Sequence, residues 1–89
     1  MNTSEFQVNE IRKRIKEIRY EKGYTQDNMA DMLCISQNAY HKIENGYCKL
    51  SLSKFIQIAK ALEVEITELI NGPMHQQILT KYYLNKSIS

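Results

Sequence analysis

Residues 25–46, TQDNMADMLCISQNAYHKIENG, carry the clearest structural signal in this chain of 89 residues. Thr25 and Ser36 each stand where a hydroxyl can accept hydrogen bonds from the free amides that begin a helix. Apolar residues recur at helical spacing after each of these caps. The pattern predicts two short helices, over 26–33 and 37–45, with a connection too short for antiparallel packing. Such helices must cross steeply, which is the geometry of a helix-turn-helix.

Helical periodicity also flanks this stretch on both sides. Upstream, apolar residues at three- and four-residue spacing predict a helix over about 10–22. Downstream, a dense apolar face predicts a fourth helix, which either Ser51 or Ser53 caps. A fifth helix opens near Thr67 and closes at the Asn-Gly pair of residues 71–72. No alternating apolar and polar run indicates a strand, so the predicted fold class is all-α.

The chain divides into three segments. Residues 1–8 are polar and predict a flexible N-terminus, residues 9–72 form the helical domain, and residues 73–89 add a short C-terminal helix. A chain of this length buries one modest core. It has no apolar run of the ~18 residues that a membrane span needs, and its first ten residues lack the features of a secretory signal. We therefore expect a cytoplasmic protein without membrane contact.

Charge and cysteine content narrow the classes of function. The net charge is +2, but six of the twelve Lys and Arg residues lie within positions 12–22. Such a cluster is compatible with nucleic-acid binding and also with an ordinary solvated face. Cys34 and Cys48 are interpreted as reduced thiols, because two lone cysteines make neither a disulfide scaffold nor a zinc site. Without paired catalytic carboxylates or metal-ligand spacing, we expect no enzyme, cofactor or metal.

The residues of the 25–46 segment resemble the Cro/lambda-repressor-like (XRE-type) helix-turn-helix DNA-binding family. Thr-Gln opens the first helix, Ile-Ser precedes the second, and Ile-Glu-Asn-Gly closes it. The resemblance extends from about Ile11 to Ile70. It implies a compact five-helix lambda-repressor-like domain that binds double-stranded DNA sequence-specifically. It also implies a small transcriptional regulator, most often a repressor or autoregulator, whose third helix enters the major groove.

The third helix places four polar side chains on one face, at spacings i, i+1, i+4 and i+5. Gln and Asn side chains can pair with adenine, and Lys can donate to guanine. The resemblance assigns the family's base-contacting positions to Gln37, Asn38, His41 and Lys42. A merely solvated polar face is the alternative, and His41 contacts either a base, a phosphate or nothing.

The resemblance also implies contacts to the DNA backbone. Gln26 matches a glutamine that contacts a phosphate, and its amide projects from a helix N-terminus whose dipole favours anions. The loop after the third helix follows the sugar-phosphate chain in this family, which assigns phosphate contacts to Asn45, Tyr47 and Lys49. Tyr47 either packs on a sugar edge or remains an exposed ring.

Two further positions concern the scaffold. The family commonly joins an arginine of helix 1 to a glutamate late in helix 3, which implies a partly buried salt bridge between Arg19 and Glu44. Cys34 departs from the family because glycine usually stands at that turn. A positive φ there would cost a side chain about 1 kcal/mol. The Cys34 thiol is expected to be buried and protonated rather than redox-sensitive, since no Lys or Arg neighbours it in sequence.

Residues 66–84 supply more apolar surface than a peripheral helix needs. Family members often dimerise through this region, and two copies then contact half-sites about 34 Å apart. We expect a homodimer on an inverted-repeat operator, with the interface formed by Ile66, Leu69, Ile70, Met74, Ile78, Leu79, Tyr82 and Tyr83. Alternatively, the tail folds back on its own domain. A different class of function also remains open, in which the protein is an antitoxin-type protein-binding module whose helix-turn-helix only autoregulates.

Overall fold

The computed structural model describes residues 3–72, which contain helices and no strand. The described helices are α1 (Thr3–Glu21), α2 (Gln26–Leu33), α3 (Gln37–Asn45), α4 (Leu52–Leu62) and α5 (residues 66–72). The predicted all-α fold is confirmed, and α2 and α3 have the predicted bounds. Within residues 3–72, no helix combines the length and apolar character needed to cross a membrane. The C-terminal helix expected over 73–89 lies outside the described residues.

Helix α1 begins at Thr3, so the predicted start near residue 10 was wrong. Glu5 lies in its first turn, where a negative charge interacts favourably with the helix dipole. Asn9 lies inside the helix and does not cap it. Its side-chain oxygen accepts a hydrogen bond from Arg12 Nη1 at 3.1 Å, one turn further along. The flexibility of residues 1–8 remains a prediction, although residues 3–8 are helical.

Side-chain caps account for the starts of the next three helices. Thr25 and Asn28 form a reciprocal capping box, in which each side-chain oxygen accepts the other residue's backbone N–H at 3.0 and 2.9 Å. The hydroxyls of Ser36 and Ser51 each accept a backbone amide three residues on, at 3.1 Å. Ser51 is therefore the cap of α4, the first of the two candidates that the sequence offered.

The turn between α2 and α3 depends on a left-handed residue that is not glycine. Cys34 has φ 57° and ψ 42°, and its N–H reaches the carbonyls of Ala30 and Asp31. This conformation ends α2 and turns the chain into α3 within three residues. The Cys34 side chain is exposed, which corrects the expectation of a buried thiol. The turn contacts the core through the next residue, Ile35, which packs against the buried cluster. Glu63 ends α4 in the same conformation, with φ 58°.

All five helices contribute to one core. The buried apolar side chains are Ile15, Met29, Ala30, Leu33, Tyr40, Ile43, Phe55, Ile58, Ala59, Leu62 and Leu69. Full burial of a large aliphatic side chain contributes about 1.5–3 kcal/mol, so this cluster dominates the stability of the domain. Leu69, from α5, has no exposed surface and completes the core. Helix α5 is thus an integral part of the domain.

Arg14 joins α1 to the end of α5. Its Nη1 donates to the carbonyl oxygens of Leu69 and Ile70 at 2.9 and 2.8 Å. The last carbonyls of a helix lack partners within the helix, and a cation there also interacts favourably with the helix dipole. Gly72 lies directly against this arginine, because a Cβ at residue 72 would approach Arg14 Nε to 2.5 Å. A side chain at residue 72 would therefore displace the Arg14 guanidinium, and the φ of 69° independently favours glycine there.

Candidate nucleic-acid interface

Helix α3 has one buried face and one exposed face. Tyr40, Ile43 and Glu44 point into the domain. The opposite face exposes all four of the residues predicted to contact bases, namely Gln37, Asn38, His41 and Lys42. The apolar and charged side chains of the inner face thus attach α3 to the domain. The polar side chains of its outer face remain accessible to a partner.

A hydrogen-bonded cluster around Glu44 holds α3 against α1 and α2. Arg19 donates to both carboxylate oxygens, from Nε to Oε2 and from Nη2 to Oε1, each at 2.9 Å. The Tyr40 hydroxyl donates to Oε2 at 2.6 Å, and Gln26 Nε2 donates to Oε1 at 3.3 Å. The carboxylate therefore accepts four hydrogen bonds from three helices. No buried polar side-chain atom of the described residues lacks a partner.

This cluster favours a charged Glu44. Burial would raise the pKa of the carboxyl, but the hydrogen bonds from Arg19, Tyr40 and Gln26 outweigh it and lower that pKa. The hydrogen bond to Glu44 raises the pKa of Arg19, against the opposing effect of its own burial. Burial, and then the hydrogen bond to Glu44, raises the pKa of the Tyr40 hydroxyl. The ion pair and the neutral phenol donor are consequently the forms that the folded domain stabilises.

The hydrogen bonds continue from Glu44 to the exposed face of α3. Gln26 Oε1 lies 3.2 Å from His41 Nδ1. Asn45 Nδ2 lies 3.0 Å from the same ring nitrogen and donates to the His41 carbonyl at 3.0 Å. The Tyr47 ring centroid is 6.0 Å from that of His41. Side chains that the sequence analysis assigned separately to bases and to phosphates therefore form one connected group.

The loop after α3 is anchored by Arg12, which the sequence placed only within the basic cluster of residues 12–22. Its Nε donates to the Ile43 carbonyl at 3.0 Å, and its Nη2 donates to the Cys48 carbonyl at 2.8 Å. Tyr47 and Lys49 of this loop are exposed, so the anchored backbone presents both side chains outward. A signal was available in the sequence, because a spacing of seven residues puts Arg12 on the same face of α1 as Arg19.

An open cleft extends the exposed face of α3 toward α1. Lys16 and Tyr20 of α1 line it together with Gln26, Gln37 and His41. Tyr20 also lies beneath Arg19, whose Cζ is 4.6 Å from the ring centroid. The cleft adds a cation and an aromatic ring to the polar surface of α3. Among residues 3–72, no three His, Cys, Asp or Glu side chains are grouped so that they could hold a metal ion.

The residues predicted for a dimer interface differ in their accessibility. Leu69 is fully buried within its own chain, because α5 packs it into the core, so it has no surface to offer a second copy. Ile66 is half-buried and packs against the same core, whereas Ile70 is 49% exposed. The other five predicted residues, which lie outside the described part of the chain, are Met74, Ile78, Leu79, Tyr82 and Tyr83.

Comparisons with known proteins identify the same segment. A family model described as a helix-turn-helix domain matches residues 13–74. The SPbeta prophage-derived HTH-type transcriptional regulator YonR of Bacillus subtilis (strain 168) is 36% identical over 59 residues, which are 66% of this chain and 55% of that protein. The HTH-type transcriptional regulator YqaE of the same strain is 33% identical over 64 residues, which are 72% of this chain and 55% of that protein.

The chain thus spans about half the length of the curated relatives that it matches. No solved structure matches it. The family model covers more than half of the chain, and it contains the capped α2–turn–α3 unit described above. The chain therefore belongs to the Cro/lambda-repressor-like (XRE-type) helix-turn-helix family.

Proposed function

We propose that this protein binds double-stranded DNA sequence-specifically and regulates transcription, acting as a repressor or autoregulator by occupying its site. The observation that carries the proposal is the two-faced α3, whose inner face is held by the Glu44 cluster and whose outer face exposes four base-compatible side chains. The two similar regulators from Bacillus subtilis are described as transcriptional regulators, which supports this function.

In the proposed complex, α3 lies in the major groove as the recognition helix. Gln37 and Asn38 are suited to adenine, because each amide offers a donor and an acceptor side by side, and Lys42 donates to guanine O6 or N7. The Arg19–Glu44 pair keeps α3 in one orientation before DNA arrives. A surface that is already ordered loses less conformational entropy on binding than a mobile one.

We propose that the edge of the same surface contacts phosphates. Asn45 ends the recognition helix, Tyr47 and Lys49 lie in the loop after it, and all three are exposed. Gln26 uses one side-chain N–H on Glu44, which leaves the second N–H of the same amide for a phosphate. Contacts of this kind set the register of the protein on the duplex and carry no sequence information themselves.

We propose a homodimer as the DNA-binding form. One recognition helix covers only part of a helical turn, and two copies contact half-sites about 34 Å apart. The exposed Ile70 and the partly exposed Ile66 begin the proposed interface, and the apolar residues between 74 and 83 continue it. Leu69 supports this surface from inside the core rather than contacting the partner.

Selection of the purified protein on a random duplex-DNA library, with sequencing of the bound pool, tests the proposed function. We expect an enriched inverted repeat whose half-site centres lie about 10 bp, or a multiple of that, apart. A folded protein that enriches no sequence would contradict DNA binding. It would favour the antitoxin-type alternative, in which the chain binds another protein.

A further inference from the structure

The ring of His41 lies between two neighbours that require opposite protonation of the same nitrogen. Gln26 Oε1, which can only accept, is 3.2 Å from Nδ1. Asn45 Nδ2, which can only donate, is 3.0 Å from Nδ1. A nitrogen of a neutral imidazole carries either a proton or a lone pair. Nδ1 can therefore form a hydrogen bond with one of these two residues and not with both.

The orientation of the Gln26 amide is set from the interior of the domain. Its Nε2 faces Glu44 Oε1 at 3.3 Å, and an ionised carboxylate only accepts hydrogen bonds. Rotating the amide by 180° would place its oxygen against that carboxylate. Glu44 cannot turn away, because Arg19 holds both of its oxygens at 2.9 Å. The amide oxygen of Gln26 is consequently kept toward His41.

Asn45 is held less firmly than Gln26. It lies at the exposed end of α3, and its Nδ2 already donates to the His41 carbonyl at 3.0 Å. Its other N–H can turn to water or to a DNA phosphate at little cost, since a solvent-accessible donor finds other acceptors. Gln26 is half-buried and has no comparable freedom. The competition for Nδ1 therefore favours the acceptor, Gln26, and a proton on Nδ1.

We propose that the Glu44–Gln26 chain holds the neutral His41 ring as the Nδ1–H tautomer, so that Nε2 presents a lone pair to DNA. This inference rests on the proposed function and deepens it. Gln26 acts as a positioning residue, and His41 becomes a specificity-determining residue. In the major groove, a lone pair selects the amino groups of adenine N6 or cytosine N4. The opposite tautomer would donate a hydrogen bond instead, to guanine O6 or N7, thymine O4 or adenine N7.

The tautomer can be measured on the free protein by long-range ¹H–¹⁵N NMR of the histidine rings, at a pH above the ring's own measured titration. A His75→Gln background leaves His41 as the single histidine. We expect Nδ1 to carry the proton in this background and also in the added Asn45→Ala variant. With Gln26→Leu added, Asn45 is the remaining neighbour of Nδ1, and we expect the proton to move to Nε2. A proton on Nε2 in the unsubstituted Gln26 protein overturns the inference.

DNA selection with the same variants measures the consequence for specificity. The base pair that His41 contacts is identified as the one whose preference disappears in His41→Ala. We expect the wild type and Asn45→Ala to share one preference at that base pair. For Gln26→Leu we expect that preference to change by roughly fivefold, the size of one hydrogen bond. A Gln26→Leu protein that keeps the wild-type preference at this base pair overturns the role of the tautomer in specificity.

The two measurements separate the inference from the function on which it rests. A library that yields no enrichment for any variant overturns DNA binding, while NMR still decides the tautomer. Enrichment of an operator together with the wrong tautomer overturns the role of Gln26 and leaves the proposed function in place. Thermal unfolding of each variant verifies that it is folded at the temperature of both measurements.

Discussion

Arg19 of α1 and Glu44 of α3 form a bidentate ion pair across the centre of the domain, with both N···O distances at 2.9 Å. The two side chains are 6% and 0% exposed. Two parallel charge-assisted hydrogen bonds permit one mutual orientation, so the pair fixes α3 relative to α1. Tyr40 and Gln26 donate to the same carboxylate, which compensates the cost of burying its charge.

Removing one member of this pair is expected to destabilise the domain strongly. Arg19→Met leaves the Glu44 charge buried, which costs about 3–5 kcal/mol in the free energy of unfolding. The double variant Arg19→Met/Glu44→Leu is expected to recover much of this loss, because it buries no charge. Urea unfolding measures both values. Lys13→Met, at an exposed position of the same helix, is the control and is expected to change stability by less than about 0.5 kcal/mol. A single variant as stable as the double would contradict the buried-charge argument.

Stability is expected to fall on the acid side because of Glu44. The folded state lowers the pKa of this carboxyl below its ordinary value near 4.5. A group with a depressed folded pKa contributes its stability fully above the unfolded pKa, and the contribution is lost as pH falls through the folded pKa. Unfolding free energies measured from pH 6 downward, through the ordinary carboxyl pKa near 4.5 and below it, should decline more steeply for wild type than for Glu44→Gln. Equal slopes would show that Glu44 does not contribute to acid sensitivity.

Glycine is expected to stabilise the turn at position 34. Cys34 has φ 57°, a conformation in which a Cβ costs about 1 kcal/mol. Cys34→Gly should therefore be more stable than Cys34→Ala by about 1 kcal/mol in chemical unfolding. The opposite substitution, from glycine to alanine, can be tested at the end of α3, where Gly46 has φ 83°. Gly46→Ala should lose about 1 kcal/mol without a clash, because the nearest atom to the added Cβ would be 3.8 Å away. An alanine at residue 34 as stable as glycine would contradict the strain.

Base recognition is expected to depend on two exposed side chains of α3. The double variant Gln37→Ala/Lys42→Ala should weaken binding to the selected operator by at least about 30-fold, since each base contact is worth roughly 1–3 kcal/mol. Fluorescence anisotropy with labelled operator measures this. Gln57→Ala/Lys60→Ala removes the same two residue types from an exposed face of α4, and it should bind like wild type. Helical circular dichroism should be unchanged in both. Its collapse in the α3 variant would contradict the exposed placement of these residues.

Arg12 is expected to order the loop that follows α3. Arg12→Met removes the donors to the Ile43 and Cys48 carbonyls, so amide hydrogen exchange should accelerate across residues 46–50. DNA affinity should fall while the base preference stays the same, because the loop is proposed to contact phosphates only. Arg14→Met is a matched control on the same helix, since it releases α5 and leaves this loop anchored. Equal exchange in the two variants would rule out a specific role for Arg12.

Much of the helix-turn-helix could be predicted because its signals are local. Thr25, Ser36 and Ser51 cap helices through amides three residues away, so the spacing of residue types was sufficient. The exposed face of α3 also followed from helical periodicity. The start of α1 was missed because Asn9 resembles a cap, although its side chain contacts Arg12 within the helix. Local pattern alone does not distinguish these two uses of an asparagine.

By itself, then, the sequence determined the helical elements, the turn at Cys34 and the family of the fold. The tertiary structure decided the contacts between the helices. It placed Leu69 in the core, directed the Arg12 and Arg14 side chains to backbone carbonyls of distant segments, and brought Gln26 to His41. These contacts join residues separated by 15 to 56 positions. Their geometry depends on how the helices cross, and that is set by the shape of the whole core rather than by the spacing of residues within one helix.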